Sequence, residues 1–198
     1  MIDIHTHLIP GVDDGARTVE TSLKVLERFA NEGVTVVVCT PHLNATEADQ
    51  IDCARYDDAF DSLLAAAPAV PRLERGWEIM LDAPGMDLHA PHLGLGGSRA
   101  LLVEFPRMNV PAGASAELQR LSVGGMLPVL AHPERYWGCS VEQVDAWRKA
   151  GAIIQLDAAM LLSDGPVGRV ARQMLERGMV DVIASDNHGD LRSLGVAR

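Results

Sequence analysis

The sequence predicts an α/β fold, a seven-stranded (βα) barrel, and three patterns predict it. Apolar, strand-like runs recur near residues 1–5, 34–40, 73–79, 100–105, 127–131, 152–156 and 179–184. Most are continuously apolar rather than alternating, which suits parallel strands buried on both faces. Amphipathic segments fall between them, and strand after strand ends in a residue that can ligate a metal. An open doubly wound sheet also carries its site at the strand ends. It would spread seven ends along a line, however, whereas a barrel gathers them round one mouth.

The first run leads into His5-Thr6-His7. Residues two apart in a strand point the same way, so both imidazoles can reach one point. Asp13-Asp14-Gly15 follows, an ordinary turn sequence as well as a source of ligands. Residues 16–32 carry Val19, Leu23, Leu26 and Ala30 at helical spacing and stop at Gly33, a helix with its C-terminal glycine. The second strand runs through Val36-Val-Val-Cys-Thr-Pro to His42, and a helix is expected over 53–67. The third strand ends at Glu78. Residues 80–97, rich in Gly, Pro and Asp, break the alternation and read as a long loop, with His89 and His92 as solvated loop residues.

Leu101-Leu-Val closes the fourth strand at Glu104. A carboxylate there is costly unless it is paired or ligates a metal, and its basic neighbours in sequence are Arg99 and Arg107. A helix over 113–124 ends at Gly125, and Pro128-Val-Leu-Ala leads to His132. Helices over 140–150 and 166–177, stopped by Gly151 and Gly178, flank the sixth strand. The seventh, Val182-Ile-Ala-Ser, repeats the opening two-residue spacing with Asp186 and His188. No repeat, low-complexity tract or linker interrupts residues 1–198, so one domain is expected.

Composition removes several function classes. A formal charge of −10 with no Lys/Arg run argues against a nucleic-acid or anionic-membrane surface. No apolar run approaches a membrane span, and Met1 opens a strand rather than a secretory leader. Three cysteines without a Cys-x-x-Cys give neither a disulfide framework nor a thiolate zinc site, which fits a cytoplasmic protein. No cysteine is followed six residues later by arginine, so a cysteine-dependent phosphatase loop is absent. Gly-x-Ser-x-Gly and Gly-x-x-x-x-Gly-Lys are absent as well. Gly94-Leu-Gly-Gly97 lacks the third spaced glycine of a dinucleotide fingerprint.

Taken in order, Met1-Ile-Asp-Ile-His-Thr-His7, Val12-Asp-Asp-Gly15, Thr40-Pro-His42, Gly76-Trp-Glu-Ile79, Val103-Glu-Phe-Pro106, Ala131-His-Pro-Glu-Arg-Tyr136 and Ala184-Ser-Asp-Asn-His188 resemble the polymerase and histidinol phosphatase (PHP) superfamily. Val-Asp-Asp-Gly and His-Pro-Glu-Arg-Tyr resemble its capsule-type, metal-dependent protein-tyrosine phosphatases of the CpsB/CapC kind. The resemblance implies a distorted (βα)7 TIM-like barrel with three divalent ions, manganese first, with iron or zinc as alternatives. It implies a substrate as well: phosphotyrosine on a bacterial tyrosine kinase that controls exopolysaccharide assembly. Carried over residue by residue, His5, His7, Glu78 and Asp186 hold one ion, and Asp14, His42 and His188 a second. Glu78 bridges to the third, with Glu104 and His132. Four carboxylates against three divalent ions leave a formal charge of about +2, suited to a phosphate monoester dianion. Water activated by the metals then attacks phosphorus in line, with no covalent phosphoenzyme. Arg135 and Arg192 are the expected phosphate clamps. In the resembled family the chain continues past Ser-Asp-x-His into a final helix, whereas this one stops at Arg198, so a barrel lacking that helix and incompletely closed is expected. The rival readings are a phosphatase for histidinol phosphate or a nucleotide, and a non-catalytic PHP-like binding module. The latter ordinarily loses ligands, and all nine are present here.

Overall fold

The computed structural model describes residues 1–197. The elements run β1 (Ile2–Thr6), α1 (Val19–Asn31), β2 (Val36–Cys39), β3 (His42–Asn44), α2 (Cys53–Ala66), β4 (Arg72–Arg75), β5 (Glu78–Met80), β6 (Ala100–Glu104), α3 (Ala114–Val123), β7 (Leu127–Ala131), α4 (Val141–Lys149), β8 (Ile153–Asp157), α5 (Pro166–Glu176) and β9 (Val182–Ala184). All pairings between these strands are parallel. They form one sheet in the order β1-β2-β4 and another in the order β3-β5-β6-β7-β8-β9.

The expected second and third strands are each broken in two. β2 gives way to β3 at Thr40-Pro41, where proline has no N–H for the ladder, and β4 gives way to β5 at Gly76-Trp77. At Gly76 a Cβ would come within 2.7 Å of the Leu95 side chain. The gap stays paired, because the amide of Gly76 donates to the Cys39 carbonyl and that of Glu78 to the Pro41 carbonyl, both at 3.0 Å. The chain therefore follows seven staves, two of them kinked, and the kinks separate one ring into two sheets.

The expectation of an incompletely closed barrel is corrected. Thr6 bridges Asn187 in parallel, the His7 amide donates to the Asn187 carbonyl at 2.7 Å, and the Asp186 amide donates to the His5 carbonyl at 3.0 Å. Backbone pairing between the first and last staves closes the ring, and a helix after β9 is not required for it. The five helices lie within a few residues of their expected ranges. Three show a local cause: Thr18 caps α1, Ser140 and Gln143 form a capping box on α4, and Pro166 opens α5, a position where proline's missing N–H costs nothing. Residues 81–99 form the expected long connection, with only two short 3-10 turns.

Val38 of β2 packs with Leu102 of β6 and with Val129 and Ala131 of β7. β2 lies in the other sheet from β6 and β7, so Val38 meets the other three side chains across the ring. Glu104 lies two residues beyond Leu102 on the same face. The C-terminal mouth of the barrel therefore stands on an apolar floor.

Candidate metal centre

His5 and His7 come from the end of β1, His42 from β3, Glu78 from β5, Glu104 from β6, His132 from the end of β7, and Asp186 and His188 from the turn after β9. Asp14 comes from the loop after β1. Gly15 lets that loop close in, since a Cβ there would sit 2.1 Å from the His7 carbonyl oxygen. All nine expected ligands reach the mouth.

The tightest cluster is His5, His7, Glu78 and Asp186, all buried. His5 Nε2 lies 3.2 Å from His7 Nε2, 3.2 Å from Glu78 Oε2 and 3.2 Å from Asp186 Oδ1. His7 Nε2 lies 3.2 Å from that glutamate oxygen and 3.3 Å from that aspartate oxygen. Donor atoms with separations of this length round a tetrahedral ion stand about 2.0 Å from it, the distance that zinc-like ions keep to imidazole nitrogen and carboxylate oxygen, and the four atoms here all lie within 4.8 Å of one another.

The protons are turned outward. His5 Nδ1 donates to Gln155 Oε1 at 3.1 Å, and His7 Nδ1 donates to Asp13 Oδ2 at 2.8 Å, which leaves both Nε2 lone pairs facing inward. Glu78 Oε2 and Asp186 Oδ1 are buried and receive no hydrogen bond. Four acceptors thus converge with no donor between them, an arrangement that is costly unless a cation fills it. Titration behaviour agrees. Burial alone would lower His5, but Glu78 and Asp186 overcome it and push it up to about 9. Despite burial, the histidines hold Glu78 and Asp186 below the carboxylate range. The residues present fit a divalent metal.

A second cluster joins His7, Asp14, His42 and His188. Asp14 Oδ1 is 3.4 Å from His42 Nε2 and 3.5 Å from His188 Nε2, and His188 Nδ1 donates to the Asp186 carbonyl at 2.9 Å, so its Nε2 is again free. The third comprises His42, Glu78 and Glu104. Here the arrangement differs from expectation, because His42 Nδ1 stands 3.1 Å from Glu78 Oε2 and 3.7 Å from Glu104 Oε1. His132 Nε2 approaches from the side, 2.8 Å from Glu78 Oε1 and 3.9 Å from Glu104 Oε2. Burial and the neighbouring Glu78 charge push Glu104 up to about 7. His132 and Asp186 have φ of 34° and 48°, the positive values found among described residues other than glycine. Such conformations cost on the order of 1–3 kcal/mol each and concentrate at functional sites.

Both expected arginines are at the centre. Arg135 pairs with Asp186 Oδ2 and lies 3.4 Å from Asp157 Oδ2. Arg192 Nη1 is 3.4 Å from the same Asp186 oxygen, and its Nη2 is 2.8 Å from Asp190. Asp186 therefore presents one oxygen to the histidines and the other to two guanidinium groups. Cys39 is buried, and burial pushes its thiol up to about 12, which agrees with an inert core role.

A family model described as capsular polysaccharide synthesis, CpsB/CapC, matches residues 1–193. The chain belongs to the CpsB/CapC family. It is 28% identical to CapC of Staphylococcus aureus over 197 residues, covering 95% of this chain and 77% of that protein. It is 27% identical to the tyrosine-protein phosphatase YwqE of Bacillus subtilis over 201 residues, with the same coverages. A crystal structure from a study of YwqE and of CpsB from Streptococcus pneumoniae superposes with a TM-score of 0.80 at 27% identity, covering 95% of this chain and 79% of that one. Both proteins are described there as metal-dependent tyrosine phosphatases.

In this CpsB/CapC chain several supporting roles escaped the sequence reading, which took Asp13 only as a turn residue and a source of ligands. Asp13 and Gln155 orient the paired histidines. Asp157 pairs with Arg135, and Glu134 accepts from the Asp157 amide at 2.9 Å. Asp3 accepts from the amides of His5 and Ser185. The available signal was polarity inside a strand: Asp3 in Ile2-Asp-Ile, and Gln155 and Asp157 in Ile154-Gln-Leu-Asp. The loop histidines, His89 and His92, lie on the exposed surface as expected.

Proposed function

We propose that this CpsB/CapC chain is a metal-dependent protein-tyrosine phosphatase of capsular or exopolysaccharide synthesis, its 198 residues acting as one catalytic domain. The observation that carries the reading is the buried cluster of His5, His7, Glu78 and Asp186, four acceptor atoms with their protons turned away. His5, His7, Glu78 and Asp186 would hold one ion, Asp14, His42 and His188 a second, and Glu104 and His132, with Glu78 shared, a third. Manganese is the preferred ion, and a nitrogen and oxygen donor set without thiolate supports manganese, iron or zinc. Divalent ions there supply Lewis acidity, bringing the pKa of water toward ~7 and neutralising charge on the phosphoryl oxygens.

The chain's own residues do the rest. Asp13 and Gln155 keep the His7 and His5 lone pairs aimed inward. Arg135, itself 16% exposed, stands where a guanidinium can turn from Asp186 to a phosphoryl oxygen, and Arg192 stands beside it. Preorganised donors of this kind stabilise charge that grows in the transition state. A tyrosinate leaving group, with pKa about 10, departs with less need for protonation than an alkoxide. The proposed partner is a phosphorylated bacterial tyrosine kinase. A cytoplasmic setting follows from that partner and accords with three free cysteines. Among the described residues no helix is long and apolar enough to cross a membrane.

The test is hydrolysis of a phosphotyrosine peptide by purified protein after EDTA, after manganese return, and after thiol alkylation. Activity should vanish with EDTA, return with manganese and survive alkylation. Chelator resistance combined with loss on alkylation would refute the proposal.

A further inference from the structure

The cavity over the metal centre, about 400 Å³ in volume, has two unlike walls. One consists of the ligands and Arg135. The other consists of Met80, Pro106, Arg107 and Met108, of which only Arg107 is charged. Met108 is 73% exposed, an unfavourable place for a large apolar side chain at the rim of a polar site.

The wall is held in place. The Phe105 amide donates to the Tyr136 hydroxyl at 3.1 Å, and that hydroxyl donates to the Ala131 carbonyl at 3.0 Å. The Trp137 amide donates to the Arg107 carbonyl at 2.8 Å, and the Asn109 amide closes a turn on the Pro106 carbonyl at 3.1 Å. Residues 105 and 107 are thus pinned to the turn that follows β7, the segment that also carries His132 and Arg135. The methionine is held out at the rim by the backbone on either side of it.

We propose that Met80, Pro106 and Met108 receive the aromatic ring of the substrate, so that this wall sets a preference for phenolic over alkyl phosphate esters. The proposal rests on the phosphatase reading above. A ring leaving the metal-held phosphate has polar ligands on one side and this apolar face on the other. Methionine suits it, because a flexible thioether adapts to a ring and makes favourable sulfur–aromatic contacts. Among the described residues Arg107 finds no side-chain ion pair or hydrogen bond, whereas Arg135 and Arg192 are both engaged with Asp186. It is the guanidinium lining this cavity that is free to meet the ester's phosphate oxygens.

The experiment compares Met108→Ala and the Met80→Ala/Met108→Ala double variant with the parent, all manganese-loaded. Turnover is measured on phosphotyrosine peptide and p-nitrophenyl phosphate against phosphoserine peptide and glycerol phosphate. Binding of benzylphosphonate and ethylphosphonate is measured by calorimetry. The double variant should lose about tenfold in kcat/KM on the aryl esters, the scale of discrimination that apolar pocket contacts give. The same loss should appear in benzylphosphonate affinity, with alkyl esters and ethylphosphonate unchanged. Met108→Ala, at an exposed position, should show part of that selective loss with an unaltered unfolding midpoint. Arg107→Ala should weaken both ester classes alike. Equal losses on aryl and alkyl ligands in the methionine variants, or no loss on either, would overturn the wall. A parent that hydrolyses none of the four esters would instead overturn the phosphatase reading, and the phosphonate arm would still decide the wall.

Discussion

Gln155 and Asp13 touch no expected ion, yet each fixes the tautomer of a histidine that does. Removing such a partner typically costs 10–100-fold in metal affinity. Gln155→Leu and Asp13→Ala should each weaken metal binding by roughly that factor, read by competition with a chromogenic chelator. The loss in Gln155→Leu should appear without global unfolding, since leucine fills a similar volume. Arg135 tests the clamp. Arg135→Ala should lower turnover on the order of 10²-fold, and Arg135→Lys should restore only part, because a point charge cannot make the two-pronged contact. Metal content measured alongside separates two roles. Retained metal with lost turnover marks a phosphate clamp, whereas matched loss of both marks a residue that acts through Asp186.

At the level of elements, the long connection after β5 is tied to α3 by one carboxylate. Glu117 accepts from the Gly85 amide at 3.2 and 3.1 Å and from Arg120 Nη2 at 2.7 Å, while Arg120 Nη2 also donates to the Met86 carbonyl at 2.8 Å. Although burial opposes it, Arg120 and the Gly85 amide hold the Glu117 pKa below its ordinary 4.5. A lowered carboxylate contributes stability above the unfolded pKa, and this is lost as pH falls through the folded one. Glu117→Gln should therefore cost about 1–2 kcal/mol near neutrality. The difference from the parent should shrink as pH drops below 4.5. Urea midpoints across that range check it. The helices were legible because amphipathic spacing and glycine stops are local signals. The strand breaks at Thr40-Pro41 and Gly76-Trp77 were not, because neighbouring staves and the Leu95 loop impose them. For the same reason Gln155 and Asp157 were missed: their partners lie on other staves, and a lone polar residue in a strand does not say what it faces.

For the whole molecule, ligands from both ends of the chain and from staves between them meet in one place. Ions bound there would tie β5 to β1 and β9, staves with which it shares no ladder. A ligand bound only by the folded state stabilises by about 4 kcal/mol at a thousand times its dissociation constant. In a chain of this size that corresponds to a rise in Tm on the order of 10 °C. Calorimetry should show such a fall on EDTA treatment and its reversal by manganese, while Glu78→Ala should abolish most of the difference. A tenfold smaller shift would mean that the ions bind weakly or that the barrel does not depend on them. The placement of ligands at strand ends was legible because chain order and strand-end position carry it. The sharing of His42 between two groups and the sideways approach of His132 were not, since both depend on ring orientations that only the closed barrel sets.

Closure between β1 and β9 also has a consequence during biosynthesis. His5 and His7 leave the ribosome long before Asp186 and His188. At about 5–20 residues per second the two histidines and Asp186 of the buried cluster are separated by roughly 10 to 40 s of translation. A nascent chain therefore has no complete pocket to load, and a polypeptide whose synthesis aborts before Asp186 can neither seal its ring nor retain the ion. Loading of the proposed site would therefore require translation to have reached the last stave.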